Sequence, residues 1–203
     1  GDFRQQIYSV KSKLESTAKY FDSVKELPFH YRNGLAICTL ADNLMKVRPK
    51  HVLMVPSSKY DEADRPSTVE HCSIHLSLED QCERVIEMLA TQLRAYPGEL
   101  LGIVCPRNAD LDKVWSLLSL SSLGEKIVFQ RRGSYKPFDD EHPVCLCSLS
   151  GAKGLEFRAL HIIGTEKLQS EPKPREKAFM AVTRAKTSLS IFSASALIPF
   201  SAF

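Results

Sequence analysis

No stretch of the sequence carries the ~18 consecutive apolar residues that a membrane-spanning helix needs, which excludes helical insertion in a bilayer. No C-x-x-C pair occurs either. The six cysteines, Cys38, Cys72, Cys82, Cys105, Cys145 and Cys147, are scattered and mostly sit inside apolar runs. Cys145 and Cys147 fall on one face of any strand, a geometry that suits neither a disulfide framework nor a zinc knuckle. The pattern predicts reduced core thiols in a cytoplasmic protein. Nine glycines and eleven prolines in 203 residues are too few for a collagen-like or Pro/Gly-rich disordered chain. A formal net charge of +3 tolerates a polyanionic partner without demanding one. No secretory, transit or lipidation signal is visible. The chain opens on Gly1 rather than Met and is expected to be part of a longer protein.

What is present has the balance of a soluble globular domain, 43% hydrophobic and 25% charged, in a length that suits one core needing no staples. Leu14, Ala18, Phe21 and Val24 recur at helical spacing and predict a helix over 11–24. A second helix is expected over 33–46, with Asn33 as its N-cap. Residues 47–67, punctuated by Pro49, Pro56 and Pro66, read as a surface connection. From there strands and helices alternate. Strands are predicted at 68–76, 100–105, 126–130, 144–149, 159–164 and 188–194. Helices are predicted at 78–95 (capped by Ser77), 108–120 (capped by Asn108) and 175–186. Short apolar strands separated by helices predict βαβ units, hence an α/β domain with a mostly parallel sheet flanked by helices.

Four segments carry candidate chemistry. SLSGAKGLEF (148–157) lies between two apolar strands. Gly151 and Gly154 permit a tight turn, while Lys153 and Glu156 place opposite charges on a loop that leaves the carboxyl end of a strand, where ligands sit in open α/β sheets. In AFMAVTRAKTSLSIF (178–192), Arg184 falls where an apolar helix gives way to a strand. A guanidinium there can cap the helix or reach a phosphate. HYRNG (30–34) offers Tyr31 as a stacking face and Arg32 as a phosphate fork. GDFRQQIY (1–8) offers Gln5 as a neutral hydrogen-bonding group and Tyr8 as a base-stacking platform.

In this order the four segments resemble motifs III, IV, V and VI of UvrD/Rep-type superfamily 1 helicases, and GELLGIVCPRN (98–108) is similar to the family's strand and polar turn between them. The resemblance implies a RecA-like three-layer fold. Residues 1–28 would be a remnant of a first RecA-like domain and 29–203 the second. No G-x-x-x-x-G-K-[ST] phosphate loop and no DE-x-x motif occurs, so the first domain, with the Mg²⁺ ligands, is expected on another part of the protein. The family's helical insertion before motif V is replaced by about a dozen loop residues at 131–143, as in a compact subtype.

The resemblance further implies ATP in a cleft between two lobes and single-stranded DNA as the track, with RNA left open. Arg32 and Arg184 would face a common gap as arginine fingers, and Gln5 would sense the γ-phosphate. Tyr31 would stack on adenine, Glu156 would accept from a ribose hydroxyl beside Gly154, and Lys153 would bridge cleft and loop. Tyr8, Arg107, Asn108, Ser148 and Ser150 would meet the nucleic acid. Ser150 stands where many members have His, and Val10 where many have an aromatic, which leaves fewer stacking platforms. The implied activity is ATP-driven helicase or translocase action by the whole protein, with this chain inactive alone. The competing expectation is a non-catalytic RecA-like module that binds nucleic acid or a protein. Elsewhere, Cys72 points away from His71 and His75 on a strand, so no metal set is expected. The 131–136 run reads as a solvated linker, Asp139–Asp140 as a solvated turn, and Trp115 as core.

Overall fold

The computed structural model describes residues 28–47, 51–73, 77–131, 133–134 and 136–195. The helix expected over 11–24 and the candidates Gln5 and Tyr8 lie outside them, as does the proposed boundary at residue 28 on its N-terminal side.

In chain order the elements are α1 (Leu35–Met45), β1 (Thr68–Ser73), α2 (Leu78–Ala95), β2 (Leu101–Cys105), α3 (Asn108–Leu118), β3 (Ile127–Gln130), β4 (Val144–Ser148), β5 (Phe157–Ile162), α4 (Pro174–Val182) and β6 (Ala185–Ser193). The six strands form one sheet in the order β1-β6-β5-β2-β4-β3, and every pairing is parallel. A parallel sheet is covered on both faces, which explains why LGIVC and FRALHI are buried at every position rather than at alternate ones. One face packs on α1 and α4 through Ile37, Leu44, Phe179 and Val182. The other packs on α2 and α3 through Val85, Leu89, Val114 and Leu118. The result is a three-layer α/β sandwich.

Local chemistry sets the helix starts. Ser77 accepts from the Asp80 amide and the Asp80 carboxylate accepts from the Ser77 amide, a reciprocal cap at the predicted position. At α1 the expected cap fails. Gly34, not Asn33, holds the cap position and offers no side chain. The amides of Leu35 and Ala36 donate instead to Glu62 and Ser67, which the 47–67 connection brings across. A β-carbon on Gly34 would lie 2.1 Å from the Ser67 β-carbon, so only glycine admits this borrowed cap. Asn33 is buried, and its amide donates to the carbonyls of Thr183 (3.1 Å) and Ala185 (2.6 Å), tying the start of α1 to the start of β6. At α3 the cap position belongs to Arg107, and Asn108 is the first helical residue.

Three expected boundaries shift. β5 begins at Phe157 rather than 159, β6 at Ala185 rather than 188, and α4 ends at Val182, so Arg184 stands in the turn after the helix. Trp115 is half-buried and stacks on Phe129 at 5.4 Å, rather than sitting in the core. All six cysteines are free thiols. Burial pushes the Cys38 and Cys82 thiols up to about 12, which makes them inert.

The crossovers fix where ligands can approach. From β2 the chain leaves toward the α2/α3 face. From its neighbour β4 it leaves toward the other face, where Leu149, Ala152 and Leu155 of an eight-residue strap (149–156) pack with α1 and α4. Adjacent parallel strands whose connections leave on opposite faces make a topological switch point, with a crevice outside their carboxyl ends.

Candidate functional site

The strap connects the two edges of the sheet. It starts at the carboxyl end of β4 and delivers Glu156 to the amino end of β5, beside the amino end of β6. The expectation that Glu156 sits at a carboxyl end therefore needs correction, because a parallel crossover must return the chain to the opposite edge before the next strand begins.

At that amino edge lies a cleft of about 760 Å³, lined among others by Tyr31, Arg32, Asn33, Glu156, Arg158 and Lys186. Tyr31 is 72% exposed and offers an open ring face. Arg32 Nη2 lies 2.5 Å from a Glu156 oxygen, with the two side chains 40% and 35% exposed. The backbone on either side is fixed. Gly34 donates to the Lys186 carbonyl, and Phe157 to the Arg184 carbonyl. Gly154 adopts φ +92°, and a β-carbon there would meet nothing, so it is the backbone conformation rather than space that calls for glycine. Lys153 is exposed on the strap.

Deeper in the cleft, Arg158 is ion-paired with Glu99 and donates to the Thr187 hydroxyl at 3.1 Å, which is itself bonded to the Tyr60 hydroxyl at 2.6 Å. Lys186 stands 4.0 Å from the same Glu99. Burial alone would raise the Glu99 carboxyl, but the Arg158 hydrogen bond and the charges of Arg158, Lys186 and Arg65 outweigh it and hold it below the ordinary carboxylate range. Sequence reasoning missed Arg158 because it placed the start of β5 two residues later, and missed Glu99 because the pair joins residues 59 apart.

Arg184 lies elsewhere than expected. It is 4% exposed, with Nε donating to the Met180 carbonyl at 3.3 Å and Nη1 to the Leu155 carbonyl at 3.4 Å. It thereby satisfies the carboxyl end of α4 and pins the end of the strap, the capping role open to a cation at that junction. Of the two candidate fingers, the structure places Arg32 in the cleft and Arg184 on main-chain carbonyls behind it.

The opposite edge holds a second pocket of about 230 Å³, lined by Pro106, Arg107, Asn108, Ala109, Leu149, Ser150, Glu171 and Lys177. It opens at the switch point between β2 and β4. Arg107, Asn108 and Ser150 are exposed there, and Glu171 and Lys177 pair at 2.7 Å. Ser148 differs from these three. Half-buried, its hydroxyl accepts the Gly151 amide at 3.1 Å and shapes the strap's first turn. Thus three of the four described candidates for nucleic-acid contact line one pocket. Strands of about five residues rising ~3.3 Å each set the two edges roughly 15 Å apart. Among the described residues no three His, Cys, Asp or Glu side chains converge as a metal site, and no helix is long and apolar enough to cross a membrane.

No protein-family model matches the chain, and no curated protein does. Among solved structures, it is similar to the C-terminal domain of a possible DNA helicase from Lactobacillus plantarum WCFS1. The TM-score is 0.57 and the identity 18%, over 85% of this chain and 92% of that one. At this identity the likeness bears on architecture, and with the six-stranded parallel sheet it defines an α/β domain of RecA-like arrangement.

Proposed function

We propose that the chain is the C-terminal motor domain of an ATP-dependent superfamily 1 helicase or translocase acting on single-stranded DNA. The observation that carries this reading is the convergence of Tyr31, Arg32 and Glu156, from two distant segments, on one cleft at the amino ends of β5 and β6. A stacking ring, a guanidinium and a carboxylate are the groups that a base, a phosphate chain and a sugar hydroxyl require. The similar solved domain, described as part of a possible DNA helicase, points the same way.

In this reading a second lobe bearing a phosphate loop closes on the cleft. ATP stacks its base on Tyr31, Arg32 reaches the phosphates, and Glu156 accepts from the ribose. A guanidinium placed on a transferring phosphoryl group stabilises its developing charge, an effect of about 10³–10⁵ in rate. Mg²⁺ would neutralise phosphate charge from ligands on that second lobe. Arg184 acts as a finger only when lobe closure draws it from the Met180 and Leu155 carbonyls; until then it holds the strap end beside Glu156. The pocket at the carboxyl edge contacts the strand's phosphates and sugars through Arg107, Asn108 and Ser150, donors on loops that bind without reading sequence.

The deciding experiment is ATP turnover by the intact gene product with and without single-stranded DNA. Stimulated turnover that Arg32→Ala removes supports the motor. Strand binding with no turnover in either condition would instead identify a non-catalytic RecA-like module.

A further inference from the structure

The two charged groups assigned to the nucleotide hold each other. Arg32 and Glu156 are paired at 2.5 Å inside the cleft. The residues next to them are anchored, Asn33 through its side-chain Nδ2 to the Thr183 and Ala185 carbonyls and Phe157 through its backbone amide to the Arg184 carbonyl. Only the two side chains are left to rearrange. Both are more than a third exposed, a setting in which water makes an ion pair weak and readily exchanged. A guanidinium that serves a carboxylate cannot present the same fork to phosphate, and a carboxylate left beside phosphate is repelled. The rest of the cleft keeps a small excess of positive charge, with Lys59, Arg65, Arg158 and Lys186 set against Asp61, Asp64 and the Glu99 that Arg158 and Lys186 share.

We propose that the Arg32–Glu156 pair is a latch released by polyphosphate: the anion takes Arg32, and the freed carboxylate turns to a hydroxyl of the same ligand. The inference rests on the nucleotide reading of the cleft and adds an order to it, phosphate first and sugar second. It also gives two ligands opposite responses to one substitution. Inorganic triphosphate has to break the pair and gains nothing from Glu156. ATP breaks the pair and then regains a contact to the carboxylate.

The test is calorimetric titration of the intact gene product, both lobes present, with inorganic triphosphate and with ATP. Glu156→Gln removes the competing charge and should tighten triphosphate binding about three- to fivefold. ATP binding should gain less than triphosphate or weaken, because its hydroxyl loses the carboxylate. Asp64→Asn removes the same charge from the same cleft without touching Arg32, since Asp64 pairs with Arg65 at 3.2 Å, and should change both ligands alike and by less. Arg32→Gln should weaken the binding of both. If Glu156→Gln and Asp64→Asn act equally on both ligands, the pair is not a latch, while Arg32-dependent binding keeps the nucleotide reading intact. If neither ligand binds the intact gene product or any variant, the nucleotide reading itself fails and the latch with it.

Discussion

Arg184 donates to two main-chain carbonyls from a nearly closed environment, so its loss has a cost before any chemistry is considered. Hydrogen bonds from a charged group contribute about 1.5–3 kcal/mol, and without Arg184 the Leu155 carbonyl loses this donor while the Met180 carbonyl keeps the Thr183 hydroxyl. Arg184→Ala is expected to lower unfolding free energy in urea by about that amount. A change below about 0.5 kcal/mol would show that the guanidinium contributes little to the fold and serves mainly the cleft. Tyr31 presents the opposite case. With 72% of it exposed, Tyr31→Ala should move stability by less than about 0.5 kcal/mol while weakening nucleotide binding. His161, fully buried in β5, donates from Nε2 to Gln92 at 2.8 Å, and its Nδ1 has no partner among the described residues. Burial lowers its pKa from 6.5 to about 3. The unfolded chain therefore takes up this proton at higher pH than the folded one. The stabilisation is complete above pH 6.5 and is lost as pH falls toward 3, by at most about 1.4 kcal/mol per unit. Urea melts at pH 7 and 4.5 should show this loss, and His161→Gln should flatten it; equal slopes would assign the acid sensitivity to other groups.

At the scale of elements, the borrowed cap of α1 makes a sharp test. Gly34→Ala drives a β-carbon into the Ser67 side chain at 2.1 Å and 2.5 Å, and should cost about 1–3 kcal/mol in chemical denaturation, the usual penalty of overpacking. A neutral result would mean that the Ser67–Glu62 cap moves without loss. This element also marks how far the sequence could be read. The cap at Ser77 was legible because an N-cap acts on the turn directly after it, though the reciprocal bond from Asp80 was not read, and the all-buried strands were legible because a covered parallel sheet leaves continuous apolar runs. Tyr31, Arg32 and Glu156 were legible as a group through their motifs, though not their shared edge of the sheet. Asn33 was misread as a cap because its partners lie 150 and 152 residues away. The amino-edge network of Arg158, Glu99, Thr187 and Tyr60 was hidden for the same reason. Each residue alone is an unremarkable polar side chain, and only the strand order brings them together.

On the scale of the molecule, the two pockets lie on opposite edges of one sheet, joined by the strap and by α4, which contributes Lys177 to one and leads into Thr183 at the other. Substitutions should therefore separate by edge. Arg107→Ala is expected to weaken binding of a single-stranded oligonucleotide and to reduce the slope of log affinity against log salt by about one contact, about 0.7. Triphosphate binding should stay as it was. Loss of both would mean that Arg107 supports the fold rather than the strand. The sheet order has a further consequence for how the chain is made. Among the described residues β1 pairs with β6 alone. During synthesis β1 waits, with that pairing unmade, until β6 has left the ribosome. Contacts of such long sequence separation assemble slowly, and a nascent chain arrested before Ala185 would leave both β1 and β5 open to foreign strands. Ribosome-bound intermediates halted short of that point should be protease-sensitive and chaperone-dependent, and should become resistant once Ser193 has emerged.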